Sequence, residues 1–554
     1  MKFNKAFYPF VIALILAMGI FLGFKIQGRS NARNSVYNTN SSSKLEYILR
    51  LIDAKYVDTV DNQKLYDDAI SKMLNDLDPH SVYLPPLEMK HEAEIMDGNF
   101  EGIGIEFSIV KDTIQVVTPI SGGPSEQAGI SAGDKIIKIN DTLAAGIKIT
   151  NEQVMKKLKG PKGTKVKLTI LKSSNHKMVD FVIKRDKIPL YSVDAGFMID
   201  KQTGYIKINR FSKTTYQEFY DKLEALQKQG IKNLILDLRQ NPGGFMDQAV
   251  AVADEFLDGN KTVVYTEGRT IPRTYEKART AGLFETGKLA ILIDEGSASA
   301  SEIVSGAVQD WDRGVIIGRR SFGKGLVQQE YPLGDGSSVR LTIAKYYTPS
   351  GRCIQRPYEN NIDDYYGDIT KRLKDGEAFN QDSIKQDKKE VYKTLIKGRT
   401  VYGGGGITPD VFVPRDTSMM TPYLYELFAK NIVRDYALSY VGQNKKQLEK
   451  LSFPEFLKGF SANEADLNEI VKHATADGIK FNEKEYNRSK PYIRTYLKAT
   501  IGRYAYQKRE KGGLNNEFYQ VMSGLDEGLQ KALTLFDEAE KLARGNVSLK
   551  DAKK

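Results

Sequence analysis

The chain has 554 residues, of which 41% are hydrophobic and 27% charged, and its formal net charge is +11. This length predicts roughly three to five domains of ordinary size. The basic residues are spread along the sequence without an arginine-rich run, which argues against nucleic-acid binding. Cys353 is the single cysteine, so the sequence excludes an internal disulfide and a cysteine-based zinc site. We interpret Cys353 as a structural thiol rather than a nucleophile, because no neighbour resembles its base.

The N-terminal residues 6–24 form an uncharged, apolar segment that follows Lys2 and Lys5. A segment of this length can just cross a bilayer as one helix. No small-x-small cleavage site follows it, so an uncleaved signal anchor within residues 1–30 is favoured over a removed signal peptide. We therefore expect a single membrane span, with the folded part of the chain exported across the membrane.

Residues 44–97 carry a helical pattern. Leu45, Ile48 and Ile52 recur at three- and four-residue steps. A second helix is predicted over residues 64–77 and ends before Pro79, because proline disfavours the helical conformation of the residue before it. This section predicts a small helical N-terminal domain.

Between residues 98 and 189 the pattern changes to short strands and glycine turns. The string AGISAGDKIIKIND (128–141) closely resembles the PDZ domain signature. In that family a glycine-containing loop offers backbone N–H groups to a terminal carboxylate, and the bound peptide adds a strand beside the groove. The resemblance implies that this loop consists of Gly102, Ile103, Gly104 and Ile105. Taken alone, those glycines are equally compatible with simple turns.

Residues 190–415 alternate hydrophobic strands with helices. This alternation is typical of a layered α/β domain with a largely buried sheet. The predicted strands are 204–211, 233–239, 289–295, 314–318 and 338–347, and a helix is predicted over 215–230. The charge-rich residues 356–400 indicate a surface insertion. The chain from 421 to 554 predicts a helical region with a packing, assembly or substrate-handling role.

Two short strings contain a candidate catalytic pair, with Ser299 in GSASASEI (296–303) and Lys324 in SFGKGLVQ (321–328). A lysine whose pKa is lowered by desolvation can accept a hydroxyl proton and return it to a leaving amine. Such a pair needs no histidine, and the chain has only four. On spacing alone, close helix packing explains the small residues of the serine string equally well.

Ser299 lies a few residues after a predicted buried strand, where a helix should begin. Helix N-termini leave backbone N–H groups unpaired, so the N–H of Ala300 could stabilise an oxyanion. A second donor is expected from the glycines of DLRQNPGGF (237–245), Gly243 or Gly244, which let the backbone approach a substrate closely. The sequence does not distinguish between these two glycines.

Several motifs occur in one order along the chain, the first just before the PDZ-like module and the others behind it. They are NDLDPHSVYLPP (75–86), DLRQNPGG (237–244), GSASASEI, SFGKGLVQ, YYTPSG (346–351) and GGGGITPDV (403–411). Together they resemble the carboxyl-terminal processing proteases, also called tail-specific proteases, over about residues 44–415. The resemblance implies Ser299 as nucleophile, Lys324 as general base and Gln328 as the residue that orients the lysine amine. It also implies a crotonase-like α/β catalytic core and no metal or organic cofactor. Asp310, on the following helix, is interpreted as a structural group.

The expected function is therefore a serine endopeptidase that cleaves proteins near their free C-terminal tails in the cell envelope. The expected location is the bacterial inner membrane, as a single-pass protein with its catalytic domain in the periplasm. A PDZ-type adaptor that captures tails without catalysis is the alternative, although it would not need Ser299, Lys324 and Gln328 together. An amidase acting on small substrates would leave the peptide-binding module without a purpose. The sequence is compatible with an oligomer and names no substrate.

Overall fold

The computed structural model describes residues 41–120, 122–358, 362–386, 389–507 and 515–536. The predicted anchor, residues 6–24, lies outside these ranges. Within them, no helix combines the length and the apolar character that a membrane crossing requires. The chain divides into two compact units, and the boundary falls between Leu74 and Asn75.

The first unit contains two helices, α1 (Ser41–Lys55) and α2 (Asn62–Asn75). Both lie where the helical spacing of apolar residues predicts them. Leu45, Ile48 and Leu51 of α1 are exposed.

The second unit begins with a short segment that leads into the PDZ-like domain. It contains strand β1 (Val82–Leu84) and helix α3 (Pro86–Asp97). Gly98 ends α3 in the left-handed conformation, with a φ of 69°, which glycine adopts without steric cost.

The PDZ-like domain is an antiparallel sheet in the order β3-β4-β5-β7-β8, with β6 paired to β5. Alternate residues point inward, and Ile114, Val116, Leu168 and Ile170 fill the core. Strand β3 is hydrogen-bonded to β4 and lies at the edge of the described sheet, as strand addition by a peptide requires. The elements are β2 (Asn99–Gly102), β3 (Ile105–Val110), β4 (Thr113–Pro119), α4 (Pro124–Gln127), β5 (Lys135–Ile139), β6 (Thr142–Leu143), α5 (Asn151–Leu158), β7 (Lys165–Leu171), β8 (Met178–Lys184) and β9 (Asp186–Pro189).

The α/β core is built on a six-stranded sheet in the order β10-β11-β12-β15-β16-β21. All neighbours pair in parallel except β10 and β11. Its central strands are almost fully buried, because helices cover both faces. The elements are β10 (Val193–Met198), β11 (Thr203–Ile208), α6 (Thr215–Lys228), β12 (Asn233–Asp237), α7 (Met246–Asp254), β13 (Thr262–Glu267), β14 (Thr274–Lys277), β15 (Lys288–Ile293), α8 (Ala300–Asp310), β16 (Val315–Gly318), β17 (Leu326–Pro332), β18 (Ser338–Tyr347) and β21 (Val411–Phe412).

A second, antiparallel sheet stands beside the first, with β1, β18, β13 and β14 in that order and β17 paired to β18. Strand β1 pairs with the start of β18, so the segment before the PDZ-like domain belongs to this sheet. The long β17–β18 hairpin follows the lysine string directly.

Most described residues of the segment 356–400 are exposed or half-buried, and the segment also forms regular elements. It contains α9 (Ile362–Lys374), a 3₁₀ turn (Gln381–Ser383) and the hairpin of β19 (Val391–Lys393) and β20 (Thr400–Tyr402). Arg372 is buried and donates hydrogen bonds to the carbonyl oxygens of Ser321 and Arg320, at 3.0 and 2.8 Å. Its charge is therefore used in packing against the lysine loop rather than in contact with solvent.

The C-terminal helices form a core of their own around Leu424, Phe456, Ile470 and Leu497. The first two helices of this region, Pro422–Ala429 and Ile432–Leu448, are separate, because Asn431 takes a left-handed φ of 57° between them. The elements are α10 (Pro422–Ala429), α11 (Ile432–Leu448), α12 (Phe453–Gly459), α13 (Glu464–Ala476), α14 (Glu483–Tyr506), α15 (Asn516–Met522) and α16 (Glu527–Thr534).

Ion pairs join this region to both other parts of the second unit. Arg503 pairs with Glu106 of β3 at 2.8 Å. Asp526 accepts two hydrogen bonds from the guanidinium of Arg239, at 2.8 and 2.6 Å. The C-terminal helices thus contact both the edge strand of the PDZ-like domain and the start of the DLRQNPGG loop.

Candidate active site

Ser299 lies just beyond the carboxyl end of buried strand β15 and caps the N-terminus of α8. Its φ of 53° and ψ of −113° are unusual for a residue with a side chain. Such strain persists only where the surroundings enforce it, and it is concentrated at functional sites. The side chain is partly exposed, within reach of a substrate.

The glycine loop passes directly beside Ser299. A Cβ atom on Gly243 would lie 2.7 Å from the Cβ of Ser299, so this close approach requires glycine. The N–H of Gly243 donates to Oδ1 of Asn241 at 2.9 Å. The N–H groups of Gly244 and Ala300, by contrast, have no acceptor in the described part of the chain.

Lys324 lies in the loop between β16 and β17, and its Nζ donates to Oε1 of Gln328 at 3.0 Å. The Gln328 amide in turn donates to the carbonyl oxygen of His80. Burial, aided by the nearby positive charge of Arg340, lowers the pKa of Lys324 to about 8. Among the described residues, no hydrogen bond joins the lysine amine to Ser299 itself.

Glu302 ties the serine and lysine loops together. It is fully buried on the first turn of α8 and accepts hydrogen bonds from the N–H groups of Ser299 at 2.8 Å, Gly323 at 2.7 Å and Lys324 at 2.9 Å. The hydroxyl of Ser321 is a fourth donor. Burial nevertheless raises the pKa of Glu302 to about 7.

The role of Glu302 is not part of the sequence-based prediction, although the spacing holds a signal for it. Ser299 and Glu302 have the S-x-x-E spacing of a capping box, in which the glutamate accepts the N–H of the cap residue. The two bonds to Gly323 and Lys324 depend on the folded chain and leave no trace in local sequence.

Tyr346 of β18 makes a second bridge between the two loops. Its hydroxyl lies 2.6 Å from the carbonyl oxygen of Lys324 and 3.1 Å from that of Ser299. Burial holds the pKa of Tyr346 well above its usual range, so the hydroxyl keeps its proton. The backbones of Ser299 and Lys324 are therefore tied together on the N–H side by Glu302 and on the carbonyl side by Tyr346.

Comparison with known proteins identifies the family. Residues 202–363 match the family model "Peptidase family S41" and residues 93–171 match "PDZ domain". Residues 17–86 match "Activating protease CtpB N-terminal domain", and 423–507 match a family of unknown function.

A carboxy-terminal-processing protease of Bartonella bacilliformis is 37% identical over 350 residues, which cover 62% of this chain and 80% of that protein. The carboxy-terminal processing protease CtpA of Bacillus subtilis is 33% identical over 72% of this chain and 87% of its own length. The chain belongs to the carboxy-terminal processing proteases. It is thus a serine-type peptidase with a PDZ domain, as the motifs imply. Among solved structures, a photosystem II D1 C-terminal processing protease is 26% identical over 67% of this chain and 87% of its own, with a TM-score of 0.35.

One histidine of this protease comes close to the proposed catalytic lysine. Burial, with a further contribution from the charge of Lys324, lowers the pKa of His80 to about 3, so the imidazole is neutral near pH 7. Its Nε2 lies 2.7 Å from the hydroxyl of Tyr365. The contribution of His80 to the site is therefore its carbonyl oxygen, which holds Gln328.

Asp310 and Cys353 are the two residues that the sequence analysis interprets as structural rather than catalytic. Asp310 is fully buried in a 2.8 Å ion pair with Arg352 and accepts the N–H of Ser350 at 2.9 Å. Burial raises the pKa of Cys353, which favours the unreactive thiol. Both residues thus make structural contacts.

The PDZ domain of the protease holds a groove of about 300 Å³ between β3 and α5. The predicted loop residues, Gly102 to Ile105, are part of its lining. The N–H groups of Ile103 and Gly104 have no acceptor among the residues that the structure describes. Two free N–H groups at the end of a groove can bind a carboxylate.

Proposed function

We propose that this protease cleaves proteins near their C-termini with a Ser299/Lys324 dyad. The observation that carries the proposal is the lysine amine, whose pKa is lowered to about 8 and which donates to Gln328. Glu302 and Tyr346 bind the backbone of Lys324 to that of Ser299. A lysine with an ordinary pKa of 10.5 would be only about 0.3% neutral at pH 8, whereas Lys324 is about half neutral there. The site therefore supplies a neutral amine, and so a base, near pH 8.

In this mechanism the neutral Lys324 amine accepts the proton of Ser299 Oγ as the oxygen attacks the scissile carbonyl carbon. The resulting ammonium returns that proton to the leaving amine when the C–N bond breaks, which leaves an acyl-enzyme. The amine then takes a proton from an attacking water. As the second tetrahedral intermediate collapses, the ammonium returns that proton to Ser299 Oγ, the acyl C–O bond breaks, and the acid product leaves.

We further propose that the N–H groups of Ala300 and Gly244 stabilise the oxyanion. Both lack an acceptor in the described chain, whereas the N–H of Gly243 already donates to Asn241. Donors that are fixed before the reaction lower its barrier without reorganisation, and removing one such donor costs about 100- to 1,000-fold in rate. Gly243 contributes in another way, because its missing side chain lets the loop approach Ser299.

Substrates are proposed to be chosen by their free C-terminal tails. The tail would add as a strand beside β3, and its carboxylate would accept the free N–H groups of Ile103 and Gly104. In this proposal the PDZ groove binds the substrate and the dyad cleaves it. An adaptor that only binds tails would not need the dyad.

Amidation of a substrate tail should lower kcat/KM by about tenfold or more, mainly through weaker binding. The amide carries no charge, and hydrogen bonds to an ionised group are each worth roughly 1.5–3 kcal/mol. The measurement compares matched acid and amide peptides on the wild-type enzyme, with Ser299→Ala as the blank for contaminating peptidases. Equal values would show that the carboxylate is not recognised.

The proposed location is the inner membrane, with the protease domains in the periplasm. Residues 6–24 support this proposal by their length and lack of charge. After fractionation, the full-length protein should stay in the membrane pellet through high-salt and carbonate washes. A mature N-terminus after residue 25 would identify a cleaved signal peptide instead.

A further inference from the structure

The PDZ groove is lined partly by residues from outside the PDZ domain. Arg210 lies two residues beyond the end of β11, in the catalytic core, yet it lines the groove together with Gly102, Ile103 and Gly104. An arginine of the domain that carries Ser299 therefore lines the same groove as the loop with the free N–H groups.

Arg210 differs from Lys159, the lysine of the same groove, in having no charged partner among the described residues. Lys159 lines the same groove, but its ammonium is paired with Glu94 at 2.6 Å. The guanidinium of Arg210 has no hydrogen-bond or ion-pair partner within the described ranges of the chain. It is partly buried, and a partly buried unpaired guanidinium has five donors available for an anion. Its planar fork matches the two oxygens of a carboxylate.

The backbone next to Arg210 leads directly to the oxyanion loop. The N–H of Phe211 donates to the carbonyl oxygen of Gly243 at 2.9 Å, and the N–H of Phe245 donates to the carbonyl oxygen of Phe211 at 2.8 Å. A Cβ atom on Gly244 would lie 2.1 Å from that same Phe211 oxygen. Phe211 and the glycine pair are packed so closely that a shift of one must move the other.

We propose that Arg210 binds the terminal carboxylate of a substrate tail in the PDZ groove and so links tail binding to the position of the oxyanion loop. Arg210 is thus a specificity and positioning residue contributed by the catalytic core to a pocket of the PDZ domain. The inference rests on the proposed function, because it concerns the same C-terminal tails.

The test measures kcat and KM for matched acid and amide peptides on the wild type, Arg210→Gln and Arg210→Lys. Arg279→Gln is the control, since Arg279 is exposed and its ion-pair partner is Glu276. In Arg210→Gln, kcat/KM for the acid peptide should fall about 10- to 100-fold, which is the range for lost hydrogen bonds to a charged group. The amide peptide should change by less than about twofold, because it lacks that charge. Arg210→Lys should recover part of the acid preference but not all of it, because an ammonium cannot make the bidentate contact.

The outcomes separate the two proposals. If the wild type shows no preference for the acid, tail recognition itself fails. If the wild type prefers the acid and Arg210→Gln keeps that preference, the role of Arg210 is refuted while tail recognition stands. An equal loss on acid and amide peptides would assign Arg210 a merely structural role and also overturn the inference. A fall in kcat for the acid peptide, beyond the rise in KM, is the signature expected of the link to the oxyanion loop.

Discussion

Ser299→Ala and Lys324→Ala should each lower kcat/KM for peptide hydrolysis by at least about a thousandfold, and the double variant should be no worse than either single one. Residues that act as one unit lose their whole contribution when either is removed. Without Oγ there is no nucleophile, and without the amine the hydroxyl keeps its proton at neutral pH. The measurement is single-turnover and steady-state kinetics on a peptide substrate, with thermal melts to show that each variant is folded.

The neighbouring residues provide a graded series. Gln328→Ala should cost about 10- to 100-fold, because Gln328 orients the base and does not itself exchange protons. Lys345→Ala is the matched control, since Lys345 is an exposed lysine on β18 that pairs in register with Leu326 of the lysine hairpin. It should keep nearly full activity. An active Lys324→Ala enzyme would rule out the dyad.

Much of the fold can be predicted from local sequence, because buried strands and helices have characteristic spacings of apolar residues. Strands β12, β15 and β16 are near-continuous apolar runs, and the structure pairs them in parallel within one covered sheet. In the PDZ domain, alternate residues of β7 are buried, which matches the period-two pattern of a one-sided sheet. Element boundaries are shifted by a few residues where turns compete with strands.

The segment 356–400 shows where local reasoning stops. Its polar composition indicates a solvated insertion, but a few of its side chains are buried and contact distant partners. Arg320 pairs with Glu377 at 2.6 Å, and the hydroxyl of Tyr365 meets the ring of His80, far away in sequence. Pairings of this kind arise only when the chain is folded, so composition alone cannot separate them from surface charge.

The residues of the site also fall into those that the sequence predicts and those that only the tertiary structure reveals. Ser299, Lys324 and Gln328 stand in short motifs, so a family resemblance finds them. Glu302 stands in the serine motif as well, but its bonds to the lysine loop require the tertiary structure. Arg340 could not be foreseen, because its effect on Lys324 is electrostatic and acts through space.

The pH dependence of kcat/KM should report the titration of Lys324. The dyad needs a neutral amine, so activity should rise with pH, with a midpoint near the lysine pKa of about 8. Well below the midpoint, each pH unit should cost about tenfold, because the neutral fraction falls by that factor. A profile that stays flat down to pH 5 would contradict a lysine base.

Arg340→Gln provides the sharper form of this test. The positive charge of Arg340 lowers the lysine pKa, while Glu302, Asp78 and Glu92 raise it. Removing that charge stabilises the ammonium form of Lys324 and so raises its pKa. The midpoint should therefore move to higher pH, and activity at pH 7 should fall. Arg279→Gln removes an exposed charge and should leave the midpoint in place.

Glu302, whose pKa is raised to about 7, is the other group whose titration could produce the fall in activity at low pH. A midpoint near 7 that Arg340→Gln leaves unmoved would therefore assign the limb to Glu302 and remove Lys324 from the role of base.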